Sequence, residues 1–249
     1  MFRYAMIIEY DGTEYAGWQR QKNAVSVQQK IEEALEIVLG VKTIIHASGR
    51  TDGGVHAEGQ VAHFDSEKEL NPRSTAYSLN SLLPSDVKIQ KVLKVAPDFH
   101  AQYSAKRKTY LYRSYVSECP SPLKDRFYAR VLPPVDVEKM KRAGKSLIGK
   151  HDFKAFCSTG SSIKSTEREI YEFNVIENGD EVIFEITGNG FLYNMVRIIV
   201  GTLYFIGKGK LPETAIEEML NTGNRRAGGK TYPACGLSLK KVEYVDTES

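Results

Sequence analysis

Phe2-Arg3-Tyr4-Ala5-Met6-Ile7-Ile8-Glu9-Tyr10 and, after a turn-rich stretch, Ser26-Val27-Gln28-Gln29-Lys30-Ile31-Glu32-Glu33-Ala34-Leu35-Glu36-Ile37-Val38-Leu39-Gly40 decide how this chain folds. In the first, Phe2, Tyr4, Met6, Ile8 and Tyr10 fall on every second position, the signature of a strand with one buried face. In the second the period changes. Ile31, Leu35 and Val38 form one helical stripe, Ser26 and Gln29 make an S-x-x-Q capping box, and Gly40 is placed to end the helix. Working outward, strands are expected near 43–48 and 59–65. A helix should run from Asn71-Pro72 to about Leu83, because Asn caps and Pro is suited to the first turn. Val87 to Val95 closes the half as a strand. The order β-α-β-β-α-β is that of a ferredoxin-like unit.

The rest of the chain repeats the order without visible identity. Ala105–Val116 reads as a strand, and Asp136 caps a helix carrying Val137, Met140, Leu147 and Ile148. Arg168–Glu177 and Glu181–Thr187 form a hairpin around Asn178-Gly179, which predicts a type I′ turn. Its alternating Tyr171/Phe173/Val175 and Val182/Phe184/Ile186 predict one buried and one wetter face. A buried helix over Leu192–Ile206, a short one from Pro212 and a strand over Gly236–Val245 complete the pattern. The expected class is α+β. Two ferredoxin-like halves, 1–104 and 105–249, would form one extended mixed and largely antiparallel sheet, with helices on one face and a cleft on the other.

Composition excludes several classes. At 249 residues, 41% hydrophobic and 26% charged, the chain is an ordinary globular protein, neither disordered nor low in complexity. The first six residues lack the basic and apolar regions of a secretory signal. The longest apolar stretch, Phe191–Ile206, is shorter than the ~20 residues of a bilayer span and contains Arg197. Cys119, Cys157 and Cys235 are odd in number, far apart and without a C-x-x-C, so a reduced, cytoplasmic protein is expected. His46, His56, His63, His100 and His151 show no i,i+4 pair, so no metal is expected.

Charge is distributed unevenly. Residues 1–104 carry 11 Lys+Arg against 13 Asp+Glu, and residues 105–249 carry 23 against 18. Cations cluster at Lys106-Arg107-Lys108, at Lys139/Lys141/Arg142/Lys145, and at Arg225-Arg226 with Lys230. The middle cluster reads as a solvated helix face. The first opens an aromatic-rich strand, where cations and base-stacking rings would sit together, and so points to nucleic acid.

Gly49-Arg50-Thr51-Asp52-Gly53-Gly54-Val55-His56-Ala57 lies between two short strands. Asp52, flanked by glycines, is a candidate nucleophile or base; the competing reading is a turn whose Asp bonds its own backbone. Arg197 weighs against the competitor. It is the only charge between Phe191 and Ile206, and a buried guanidinium demands a partner, for which Asp52 is the natural candidate. Snorkelling to the surface or pairing with Glu185 are the alternatives. Tyr110 and Tyr112 share one strand face beside three cations, so either can be a sheet residue or a base-stacking group with a useful hydroxyl. Other signals fail. His56-Ala57-Glu58 suggests a zinc nucleobase deaminase, but Pro233-Ala234-Cys235-Gly236 lacks the second cysteine. Gly207-Lys208-Gly209-Lys210 is not a P-loop.

Four stretches together resemble one family: Glu9-Tyr10-Asp11-Gly12-Thr13-Glu14-Tyr15-Ala16-Gly17-Trp18-Gln19, Gly49–Ala57, Lys106–Arg113, and Gly190-Phe191-Leu192-Tyr193-Asn194-Met195-Val196-Arg197. The family is tRNA pseudouridine synthase A, and the resemblance covers essentially the whole chain. It implies isomerisation of uridine to pseudouridine at tRNA positions 38, 39 and 40 in the anticodon arm, without a cofactor, by a homodimer. It implies Asp52 as nucleophile, Tyr110 stacked on the flipped base, Arg197 holding Asp52, and Arg50 propping the space the base leaves. Lys106, Arg107, Lys108, Arg225 and Arg226 are the expected backbone contacts. The family often has Ala where Gly53 stands and an aromatic where Ser238 stands. The rival from another class is a non-catalytic RNA-binding protein, which explains the basic strand but neither Asp52 nor Arg197.

Overall fold

The computed structural model describes residues 1–158, 160 and 165–244. They form two compact units: Met1–Lys106 with the chain from Ser238 onward, and Arg107–Leu237.

In the first unit, β1 (Phe2–Tyr10) lies between β4 (Val87–Val95) and β3 (His56–Ser66), antiparallel to both. Its alternation holds: Tyr4, Met6 and Ile8 are fully buried. Each such side chain contributes roughly 1.5–3 kcal/mol through burial. α1 (Val27–Leu39) and α2 (Pro72–Leu82) bury Ile31, Leu35 and Leu79 in turn. Across the sheet, Ala5, Val61 and Ala101 form a second, smaller cluster with Phe99, Val242 and Tyr244. Both helix starts behave as read: Ser26 Oγ accepts from Gln29 N and Asn71 Oδ1 from Ser74 N. The capping box is only half made, because Gln29 Nε2 turns to the Glu33 carboxylate at 2.8 Å, the stronger acceptor one turn on. β2 shrinks to His46–Ala47 on the edge of β3.

The last strand departs from expectation. β10 (Leu237–Tyr244) runs beside β3 of the first unit, with Ser238 opposite His56 and Leu239 opposite Ala57, in parallel. Gly59 permits this: a Cβ there would lie 2.7 Å from Lys240 O. Ser238 Oγ donates to Glu58 at 2.8 Å, and Tyr244 OH to Ala101 O at 2.8 Å. The compact units therefore part at 106/107 and 237/238 rather than once at 104/105. Val245, expected to end this strand, lies outside the described residues.

In the second unit, β5 (Ala105–Val116) pairs with β9 (Glu181–Gly188), β9 with β8 (Glu167–Asn178), and β8 with β7 (Gly149–Asp152), all antiparallel. A three-residue β6 (Ala129–Val131) runs parallel to β5. β6 and β7 are too short to carry a readable period, so the second half is not the plain repeat expected. The helices are α3 (Val137–Gly144), α4 (Met195–Gly207) and α5 (Ala215–Thr222). Beyond α3 the chain tightens into a 3-10 turn, leaving Ile148 about half exposed. The hairpin turn is Gly179-Asp180, with positive φ at Gly179 alone, so it follows the II′ pattern rather than I′. The alternation on its strands holds, with Val182, Phe184 and Ile186 buried. Among the described residues no helix is long and apolar enough to cross a membrane.

Candidate active site

In the first unit, Asp52 sits on a loop held from both sides. On the stem, Ser48 Oγ donates to Gln60 Oε1 at 2.7 Å, and Gln60 Nε2 to Gly49 O at 3.0 Å, with Gln60 fully buried. At the tip the chain from Tyr10 to Trp18 acts as a strap. Trp18 N donates to Thr51 O at 3.0 Å, and Gly54 N to Tyr15 O at 3.3 Å. Gly17 and Asp52 form an isolated antiparallel bridge. Tyr10 OH and Thr51 Oγ1 share a buried hydrogen bond of 2.7 Å. Gly12 N donates to His56 Nδ1 at 3.0 Å just past the loop. Asp52 is half-buried, Thr51 and Val55 are buried, and Arg50 is exposed. Every peptide neighbour of Asp52 is thus tied to a core element, which orients a carboxylate better than a free Asp-Gly turn can.

Two tyrosines that the sequence leaves equivalent are separated by the second unit. Tyr112 is fully buried and donates to Pro233 O at 2.8 Å, a packing residue. Tyr110 keeps 9% of its surface exposed and meets Phe191 edge-on, with ring centroids 5.0 Å apart. Phe191 opens the turn that leads through Asn194 into α4. Asn194 is the only non-glycine residue with positive φ among those described, at +61°. Its Oδ1 accepts from Arg197 Nη1 at 2.8 Å, and its Nδ2 donates to Ser158 Oγ at 3.0 Å. Arg197 Nε donates to Tyr232 O at 2.7 Å, and Tyr232 N donates back to Arg197 O. Tyr232 is itself fixed by a parallel stack on Tyr204, centroids 5.0 Å apart. Two donors of Arg197 therefore go to neutral acceptors of its own unit, besides the Asp52 or Glu185 carboxylate or the surface exit that the sequence offered.

The other basic residues divide. Arg107 is occupied by Glu172 at 3.2 Å and lies over the Tyr171 ring. Arg225 donates to Gly229 O at 2.7 Å, while Lys106 and Arg226 are exposed. Lys108 is half-buried on the face of Tyr110. Lys139, Lys141 and Arg142 pair with Asp136, Glu138, Glu177 and Glu213, so the middle cluster is the solvated face it was read as.

Three histidines meet although no sequence spacing brings them together: His46 stacks on His63 at 5.2 Å, and His63 meets His100 at 4.7 Å. They are not a metal set. His63 Nδ1 accepts from Ala101 N, and His100 Nδ1 from Gln102 N and Tyr103 N. Among the described residues no group of three His, Cys, Asp or Glu could hold an ion. Burial, then the charges of His100, Arg3 and His46, push His63 down from 6.5 to about 4. The unfolded state thus binds the extra proton between pH 6.5 and 4. Stability is complete above pH 6.5 and falls by roughly 1–2 kcal/mol toward pH 4. Urea midpoints at pH 7 and 4.5 should show this fall, and His63→Asn should flatten it.

A family profile described as tRNA pseudouridine synthase matches residues 6–104 and 143–245. The chain is 45% identical over 245 residues to the tRNA pseudouridine synthase A of Ruminiclostridium cellulolyticum, covering 98% of this chain and 100% of that one. It is 46% identical over 240 residues to that of Acetivibrio thermocellus, covering 96% and 98%. This chain belongs to the tRNA pseudouridine synthase A family. The relative from Thermoanaerobacter sp. strain X514 is 43% identical over 239 residues, covering 96% and 98%. A solved Cbf5-Nop10-Gar1 complex is far more distant, at 11% identity and TM-score 0.40, over 96% of this chain and 59% of that one.

For a tRNA pseudouridine synthase, the hold on Arg197 gives a prediction in which stability and activity separate. Asn194→Gly removes the side-chain bonds, roughly 1 kcal/mol each, while glycine takes the left-handed backbone at no Cβ cost, which offsets part of that loss. Its melting temperature should stay near wild type while single-turnover pseudouridine formation falls about 10–100-fold. Asn194→Ala keeps the strain and should lose about 2–3 kcal/mol as well.

Proposed function

We propose that this protein converts uridine to pseudouridine at positions 38, 39 and 40 in the anticodon arm of tRNA, with no cofactor. Asp52 is the nucleophile and attacks either C1′ of the ribose or C6 of the uracil. The N1–C1′ bond breaks, the base turns, C5 bonds to C1′, and the bond between Asp52 and the substrate carbon breaks again, which frees the carboxylate. C5 then gives up its proton and N1 gains one, so the product is an isomer. Tyr110 stacks on the extruded base and takes part in removing the C5 proton. Arg197 orients Asp52, and Arg50 fills the place the base vacates. Extrusion costs a few kcal/mol, which backbone contacts offset. The working form is a cytoplasmic homodimer that grips one tRNA across both copies.

The observation that carries this reading is the double hold on the Asp52 loop, from Gln60 beneath and from the Tyr10–Trp18 strap above. A non-catalytic RNA-binding protein needs no such preorganised carboxylate. The test is tritium release from tRNA labelled with [5-³H]uridine, compared with transcripts that carry cytidine at 38–40. Release matching the uridines at those three positions is expected. No release from any tRNA, with binding intact, would favour the non-catalytic reading.

A further inference from the structure

α4 ends in Gly207-Lys208-Gly209-Lys210, a stretch that is no P-loop and that the candidate active site does not use. Its turn is fixed: Gly209 N donates to Ile206 O at 2.8 Å, and Lys210 N to Phe205 O at 2.8 Å. Gly209 has a φ of +67°, and a Cβ there would meet nothing within 4 Å, so the ground over the turn is open. Gly201, Tyr204 and Lys208 fall on one face of the helix, at i, i+3 and i+7. Segment 229–232 covers that face. A Cβ at Gly229 would lie 2.5 Å from Gly201 O, and the Tyr232 ring stacks on Tyr204. Lys230 is thereby carried to the side of α4 on which Lys208 stands.

Lys210 and Lys230 are exposed and Lys208 is half-buried. Among the described residues none of the three ammonium groups has an ion pair or a hydrogen bond. Lys210 Nζ lies 5.5 Å from the Phe205 ring centre and Lys230 Nζ 5.9 Å from that of Tyr232. A ring face attracts a cation without using up its N–H donors. Other cations of the same unit are occupied: Lys124 by Asp180 at 2.7 Å, Lys141 by Glu138 at 2.7 Å, Arg142 by Glu213 at 2.8 Å. The carbonyl end of α4 favours a cation in its last turn, which accounts for Lys208 but not for Lys230 from a separate segment. Burial, then the charges of Lys210 and Lys230, hold Lys208 below its ordinary value. Three like charges gathered at an open turn repel one another, and a polyanion relieves that repulsion.

We infer that Lys208, Lys210 and Lys230 form a contact surface for the phosphate backbone of tRNA. The inference rests on the proposed function for the identity of the RNA. Lys208 stands about 16 Å along α4 from Arg197, at roughly 1.5 Å per residue, so the surface meets RNA away from the reacting nucleotide. Mobile point charges suit that task, since each neutralises a phosphate and releases its counterion without reading a base.

The test is the salt dependence of tRNA binding by the full-length protein between about 50 and 200 mM KCl. The slope of log Kd against log salt should shrink by about 0.7–0.9 for Lys208→Gln, Lys210→Gln or Lys230→Gln alone. The triple variant should lose roughly 2–2.7, and the single variants keep the test decisive if the triple fails to fold. The control joins Lys124→Gln, Lys141→Gln and Arg142→Gln, which removes the same net charge from paired cations. Its slope should stay within about 0.5 of wild type. Activity lost by the triple variant should fall on KM more than on kcat. Its melting temperature without RNA should stay within about 3 °C of wild type. Unchanged slopes, or an equal loss in the control, would overturn the surface. Binding to phosphatidylserine vesicles that the triple variant loses, with its tRNA slope unchanged, would assign the lysines to a membrane instead. Wild-type tritium release, run in parallel, separates the two ideas: release with unchanged slopes rejects the surface alone. No wild-type release with reduced slopes rejects the reaction and keeps the surface.

Discussion

Asp52→Asn is expected to abolish tritium release from [5-³H]uridine tRNA, lowering single-turnover rates by at least roughly four orders of magnitude. The amide is nearly the same size as the carboxylate but has no anionic oxygen to form a bond to carbon. The loop should survive, because its anchors are peptide groups: Thr51 O on Trp18 N, Gly54 N on Tyr15 O, and the Gly17 bridge. None of them depends on the Asp52 side chain. Thermal unfolding should therefore stay within about 1 kcal/mol of wild type. A filter-binding measurement should show tRNA still held, as phosphate contacts supply most of the affinity. Release by both proteins would mean that another group is the nucleophile. Release by wild type alone, with equal binding, would assign the role to Asp52 without recourse to relatives.

Much of the architecture was legible because local period and local caps dictate it. β1, α1, α2, β4 and β5 follow from alternation, stripe and cap, and their ends match within a residue or two. What was not legible depends on partners far away in the chain. β10 joins β3 because Gly59 lets a backbone approach, and one glycine in a strand does not announce which strand will come. Arg197 shows the same limit at the candidate site. Its lone charge in an apolar helix was a sound reason to expect a partner, but two acceptors are the Tyr232 carbonyl and the Asn194 amide. A carbonyl has no residue signature. Asn194 offered a faint one, since Asn is the residue after glycine that best tolerates a left-handed backbone. The Glu9–Gln19 stretch was legible only as a likeness; its physical role as a strap appears once the fold brings it against Thr51, Asp52 and Val55.

Gly12→Ala should be severely damaging although it removes no chemical group. A Cβ at position 12 would lie 2.0 Å from Val55 O and 2.7 Å from Val55 C. Both are backbone atoms, so no rotamer change relieves the clash; strap or loop must move by more than an ångström. Val55 N bonds to Asp52 O at 3.1 Å, so displacement of Val55 passes straight to the nucleophile. A misplacement of that size costs about 10²-fold in rate, and overpacking of a buried backbone contact costs about 2–4 kcal/mol. The variant should therefore lose both activity and urea resistance, unlike Asp52→Asn, which loses activity alone. Gly53→Ala is the control from the same loop. Its nearest neighbours to a new Cβ are 3.5 Å away, at ordinary contact distance, and its φ is not in the left-handed region. Alanine there should restrict only the unfolded chain, adding about 0.5 kcal/mol of stability with tritium release near wild type. Should Gly12→Ala and Gly53→Ala behave alike in both assays, the strap would not be what holds Asp52. Damage confined to Gly12→Ala would trace the orientation of the nucleophile to a single close backbone contact, forty residues away in the chain.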